Sequence, residues 1–221
     1  MLLKILAEGQ TESKFIMNIL EPYLSEIGYM VSPIIIGTSR RQRGGLSHYN
    51  QFKTNIFNLC GSSDCLITTM IDFYQLPSDF PGFKDAQSVL NHADKVKLIE
   101  ERLNEEINIR PPNYFIPYIQ LHEFEALLFS DIDIIDDVLK FDCCSDIRKL
   151  KSIMDKYHEP ENINTDEGPS VKLKKLTHDN YQKTLHGIRI AERIQLDVMR
   201  DNCHHFNNWL EKMEKFADRY C

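Results

Sequence analysis

The stretch LLKILAEGQTESKFIMNILEPYLSEIG (residues 2–28), followed by VSPIIIG (31–37), decides the fold class. Leu2–Ala7 is an apolar run of strand length, closed by Glu8-Gly9. Thr11 is the expected N-cap of a helix in which Phe15, Ile16, Ile19, Leu20 and Leu24 recur at helical spacing up to Gly28. Val31–Ile36 is rich in β-branched residues and stops at Gly37, so it reads as a second strand. Strand, helix and strand in so short a span make a βαβ unit with a parallel strand pair.

Working outward, the same alternation continues. Residues 48–60 suggest a helix through Tyr49, Phe52, Ile56 and Leu59, and Leu66–Ile71 is a third apolar strand ending at Asp72. After the loop LPSDFPGF, a charged helix is expected over 86–107, a fourth strand over Tyr114–Leu121 and a helix over Glu123–Phe129. The expected class is therefore α/β, with a mostly parallel four-stranded sheet flanked by helices. Beyond residue 131 the strand signals stop. Segments 145–157, 170–177, 181–195 and 196–219 read as helices, with a polar break at 158–169. Charge shifts at the same place: residues 1–168 carry net −10 and residues 169–221 net +3. The reading divides the chain into an α/β domain, 1–131, and a helical extension, 132–221, packed on it.

The 221 residues are 42% apolar and 27% charged, enough for a sizeable core and against wholesale disorder. A net charge of −7 argues against a general polyanion-coating protein, which would be basic. It leaves room for an enzyme that meets nucleic acid through metal ions and a local basic patch. No apolar run reaches membrane-span length, and the N-terminus lacks the features of a signal peptide. The six cysteines contain no C-x-x-C pair, so free thiols in a reducing cytoplasm are expected. Cys203-His204-His205 lacks a second ligand pair at zinc spacing.

In an open parallel sheet, ligands sit outside the carboxyl ends of the strands. Glu8 would end strand one and Asp72 strand three, while His122, Glu123 and Glu125 follow strand four. Acids crowded at one sheet edge repel one another, and a divalent cation is the simplest remedy. Oxygen ligands suit Mg²⁺ or Mn²⁺. Each residue also has a structural alternative. Glu8 could be a solvated turn acid, and Glu12 could simply meet a helix dipole. Glu123 and Glu125, two apart on a helix, cannot both face one ion, whereas Glu125 shares a face with His122. Asp131 is suited to capping the next helix. The loop 37–45 holds Arg40, Arg41 and Arg43 among glycines, either a phosphate-contacting element or a solvated basic loop. Lys172, behind Gly168-Pro169-Ser170, could offset developing phosphoryl charge or lie on a charged helix face. GxxxxGK[ST], GxSxG and GxGxxG are all absent.

EGQTE after strand one, TTMIDFYQLPSDFPG at strand three and IQLHEFEALLFSD at strand four together resemble an uncharacterised Toprim-like family. GPSVKLKKL, NYQKTLHGIRIA and CHHFNNWL resemble its C-terminal part, so the likeness spans nearly the whole chain. Toprim domains bind Mg²⁺ in topoisomerases, primases and nucleases of the overcoming-lysogenisation-defect type. The resemblance implies that Glu8 is the Toprim glutamate and Asp72 the first aspartate of its Asp-x-Asp. Tyr74 stands where the second aspartate belongs, so Glu12, Glu123 or Glu125 would supply the missing carboxylate. It further implies an ABC-type ATPase partner in bacterial anti-phage defence.

The expectation is thus a cytoplasmic, Mg²⁺- or Mn²⁺-dependent nuclease acting on DNA or RNA. Glu8, Asp72, Glu125 and Lys172 would be catalytic. Glu8, Glu12, Asp72, Glu123 and Glu125 would hold metal, and Arg40, Arg41 and Arg43 would contact the phosphate backbone. No membrane association is expected, and a homodimer fits this reading. The alternative is a catalytically silent module that regulates an ATPase, with Tyr74 as its best support.

Overall fold

The computed structural model describes residues 1–37, 45–61, 64–140, 144–163 and 167–220. Its strands are β1 (Leu2–Ala7), β2 (Met30–Ile35), β3 (Cys65–Asp72), β4 (Asn113–Ile116) and β5 (Ile119–Gln120). They lie in the order β2-β1-β3-β4, with β5 also on β3, and every pairing is parallel. The chain is an α/β protein with a mostly parallel sheet flanked by helices. Seven of the eight residues of β3 are buried, as expected of a central parallel strand covered on both faces.

One expected strand, Tyr114–Leu121, is two. Pro117 has no N–H to offer the ladder, so pairing breaks there. Threonine hydroxyls on β3 take over at the break. Thr68 donates to the Ile116 carbonyl (2.6 Å). Thr69 donates to the Tyr118 carbonyl (2.7 Å) and accepts the Tyr118 N–H (2.9 Å).

The helices follow the expected order with more interruptions. The first runs as α1 (Gln10–Phe15), a π turn at Ile16–Leu20, and α2 (Glu21–Glu26). Its N-cap is Gly9 rather than Thr11, which lies buried inside the first turn. Next is α3 (Tyr49–Leu59). The helix expected over 86–107 is α4 (Phe83–Ala86) and α5 (His92–Ile107), because Asn91 caps α5 by accepting the Asp94 N–H. Phe124–Ser130 is a 3₁₀ run rather than an α-helix. Asp131 caps α6 (Ile132–Leu139) as its side chain suggested. Then come α7 (Cys144–Tyr157), α8 (Pro169–Leu176), a π turn at Lys183–Gly187, α9 (Ile188–Ile194), α10 (Leu196–Asn202) and α11 (His204–Tyr220).

Two helical layers sandwich the sheet. On one face, Leu6, Ile67 and Ile71 pack against Phe52, Ile56, Val96, Ile99 and Leu103 of α3 and α5. On the other, Leu3, Ile5, Leu66 and Met70 pack with Phe15 and with Phe206, Trp209 and Met213 of α11. Trp209 stacks on Tyr118 (4.2 Å between centroids) and donates its indole N–H to Thr68 Oγ1 (2.8 Å). A fully buried side chain of that size is worth about 3–5 kcal/mol. The C-terminal helices therefore form one covering layer of the sheet and share its core. Among the described residues, no helix is long and apolar enough to cross a membrane.

Candidate functional site

The carboxyl ends of β1 and β3, the first turn of α1, the 3₁₀ run and the π turn at Lys183 meet at one rim of the sheet. Glu8 follows β1, and its Oε2 accepts the Asp72 N–H (3.0 Å), which ties the ends of two neighbouring strands together. Glu12, 4% exposed, lies in the first turn of α1. A Cβ at position 9 would stand 3.1 Å from Glu12 Oε2, so only glycine leaves that carboxylate its place without a shift. Gly9 itself is extended, and this close approach is what it provides. Asp72 Oδ1 accepts the Phe124 N–H (3.1 Å), which docks the 3₁₀ run onto the end of β3. Glu125 is fully buried, and its Oε1 accepts the Tyr181 hydroxyl (3.4 Å). Gly187 makes room for that hydroxyl, since a Cβ there would meet it at 2.8 Å.

The centre of the cluster is Lys183. Its ammonium lies 3.2 Å from Glu12 Oε1, 3.2 Å from Glu125 Oε2 and 3.5 Å from Asp72 Oδ2. It also sits 5.9 Å from the centre of the Phe124 ring. Burial works against its charge, yet the carboxylates of Asp72, Glu125 and Glu12 hold it well above the usual lysine range. Burial pushes the Glu8, Asp72 and Glu125 carboxyls up, and Lys183 pulls each of them back. Four acids around one ammonium leave the fully ionised cluster three negative charges in excess. Glu125 Oε2 is buried without an aligned hydrogen-bond donor. The rim is thus short of positive charge and of donors.

A divalent cation is the group this imbalance invites, and the donors are all oxygen, as Mg²⁺ or Mn²⁺ requires. Among the described residues, no three carboxylate, imidazole or thiolate groups stand at ligating distance of one point. The acids surround an ammonium instead. With a third of its side chain exposed, Lys183 can withdraw toward solvent, so the residues present fit an ion that takes its place.

Glu8, Glu12, Asp72 and Glu125 are brought together as the sequence suggested; Glu123 and Lys172 are not. Glu123 is extended, ahead of the 3₁₀ run, and turns the other way. It accepts the Ser170 N–H (3.0 Å) and hydroxyl (3.0 Å) at the start of α8, with Gly168 packed on its carboxylate. It ties down a helix and stands apart from the rim cluster. Lys172 lies on α8 with its ammonium 5.5 Å from the Tyr157 ring centre, and the cation at the rim is Lys183. His122 shares no face with Glu125: its backbone is left-handed (φ 65°) and its ring packs beside His92. Tyr74 is 68% exposed and contributes no donor to the rim. Arg40, Arg41 and Arg43 lie outside the described residues. The stem of their loop is anchored at Gly37, whose N–H goes to Asn55 and whose carbonyl accepts from Gln51. Cys203, His204 and His205 turn to three different partners, Ser130, Glu159 and Glu100.

Lys183 is the residue that sequence reasoning missed. A usable signal existed: four convergent acids need a cation, and NYQKTLHG offers one lysine with no acid beside it.

A family model described as a domain of unknown function, DUF4276, matches residues 7–214. The chain belongs to the DUF4276 family. The match takes in every rim residue: Glu8, Glu12, Asp72, Glu125 and Lys183 all lie within the DUF4276 region. Searches of curated proteins and of solved structures gave no match.

Proposed function

We propose that this DUF4276 protein is a Toprim-like nuclease that cleaves nucleic-acid phosphodiester bonds with a divalent metal ion, in the cytoplasm. The observation that carries the reading is the meeting of Glu8, Glu12, Asp72 and Glu125 around Lys183, where a parallel sheet presents ligands. A bound Mg²⁺ or Mn²⁺ would supply Lewis acidity and an activated water. Glu8, Asp72 and Glu125, with Glu12, would hold it. Lys183, rather than Lys172, would sit beside the phosphoryl group and offset the charge that develops there. Tyr181 would keep Glu125 oriented through its hydroxyl. Arg40, Arg41 and Arg43 remain the proposed backbone contacts, and an ABC-type ATPase in an anti-phage setting remains the proposed partner.

A second reading is favoured by the same lysine. Its three ion pairs neutralise the acids from within, as a catalytically silent regulatory module would require. Cleavage of labelled DNA and transfer RNA by the purified chain, with Mg²⁺ or Mn²⁺, separates the two. The nuclease reading expects Glu8→Gln and Asp72→Asn to abolish cleavage. It expects Lys183→Met to keep Mn²⁺ uptake while turnover falls about 10²–10³-fold, the usual cost of losing one transition-state donor. Cleavage that survives Asp72→Asn, or wild-type protein that takes up no Mn²⁺ by calorimetry, would defeat it.

A further inference from the structure

On the sheet face opposite Trp209, a second cluster of polar groups lacks partners. The His92 and His122 rings lie 4.8 Å apart, centroid to centroid, with their planes 54° apart. His122, 5% exposed, buries an Nε2 that has no hydrogen-bond partner, and His92 buries an Nδ1 in the same condition. Phe73 walls both rings, edge to face, at 6.4 and 6.3 Å. Two buried imidazole nitrogens left unpaired on neighbouring rings cost about 1–3 kcal/mol each, and such groups call for an ion or a water.

The ring spacing matches the first of these. An imidazole nitrogen binds zinc at about 2.0–2.1 Å, which puts each ring centre about 3.2 Å from the ion. Two rings on one ion then lie about 4.5 Å apart at a right angle and about 5.2 Å apart at the tetrahedral angle. The observed 4.8 Å falls between them. Burial lowers the pKa of both rings, with Lys95 adding to the effect at His92, and holds His122 down to about 4; both shifts favour the neutral form that ligates a metal. The left-handed backbone at His122 fixes its ring here, and the Tyr74 N–H clasps the His122 carbonyl (3.2 Å).

We propose that His92 and His122 form a binding site for one borderline divalent transition-metal ion of the zinc type, separate from the all-oxygen rim. Imidazole suits Zn²⁺, Ni²⁺ or Co²⁺ and does not suit Mg²⁺. With two protein ligands, the ion keeps positions open for water or for an anionic ligand. The site does not depend on the nuclease reading and fails separately from it.

The test is titration of metal-stripped, full-length protein with Co²⁺, followed by its visible absorption and then by displacement with Zn²⁺. Wild-type protein should take up one Co²⁺ with an imidazole-type spectrum, beside any ion that the rim carboxylates hold. His92→Ala and His122→Ala should each weaken uptake by at least the roughly 10–100-fold that loss of an outer partner costs. The Glu8→Gln/Asp72→Asn variant should retain the site. His92 is only half-buried, so His92→Ala keeps the test decisive if His122→Ala does not fold. No Co²⁺ uptake by the wild type, equal uptake in the folded histidine variants, or uptake lost only with the carboxylates would overturn the proposal.

Discussion

Glu100 and Glu161 are buried as deeply as Glu12 and Glu125, with all four at 4% exposure or less. Their surroundings differ in kind. Glu161 accepts two backbone N–H groups, from His205 (2.8 Å) and Phe206 (3.1 Å), and so closes the start of α11. Glu100 accepts the Ile119 N–H (2.8 Å) and has His205 Nε2 at 3.1 Å. These acids hold elements together, and their lone pairs are spent on backbone N–H groups and, at Glu100, on the His205 ring as well. At the rim, Glu8 and Asp72 accept one backbone N–H each. Glu125 Oε2 has only a neighbouring ammonium. Burial alone does not mark a working carboxylate; a shortage of fixed donors does.

Three measurements sharpen or break this contrast. The largest effect is expected from Glu161→Ala. It strips the cap from α11 and leaves two N–H groups unpaired, the Phe206 one buried and the His205 one partly so, at about 2–3 kcal/mol in urea unfolding. Mn²⁺ uptake by the folded variant should not change; a loss of uptake would merge the two clusters into one functional unit.

A smaller effect concerns pH. Burial opposes charge on His205, but the hydrogen bond and charge of Glu100, with Glu161 nearby, raise its pKa above the ordinary value. A raised histidine contributes stability that is fully present below the unfolded value of about 6.5 and is lost as pH rises through the folded one. The stability difference between wild type and His205→Gln should therefore shrink from pH 6 to pH 8.5, a range taken to bracket the roughly neutral histidine titration. A difference that grows with pH would mean that His205 is neutral in the fold.

The smallest effect runs the other way. Glu125→Gln mimics the protonated form that burial favours, so it should leave stability unchanged or raise it by about 0.5–1 kcal/mol. A loss as large as that of Glu161→Ala would show that Glu125 is structural too.

The sheet was legible because its strands are short apolar runs closed by Glu8-Gly9, Gly37 and Asp72, and burial on both faces requires such runs. Glu8 and Asp72 were legible because they stand at strand ends. Lys183 was legible only as a cation that the acids require: its position depends on a π turn and on packing between residues far apart in sequence, which local periodicity does not encode. Glu123 and Glu125 were separable by angle alone, but which of them faced the rim depended on the extended backbone at Glu123. The split of the fourth strand turned on Pro117, visible in the sequence, and on two threonine hydroxyls whose partners only the fold reveals.

Trp209 hydrogen-bonds to Thr68 of the central strand, and Lys183 closes a cluster begun by Glu8. During synthesis, the first strand–helix unit leaves the ribosome long before the lysine that completes the rim. The nascent α/β half therefore carries uncompensated acids and an uncovered sheet face until the later helices arrive. Such distant pairings slow folding and favour aggregation of the partial chain, so a fragment ending before α8 should be insoluble.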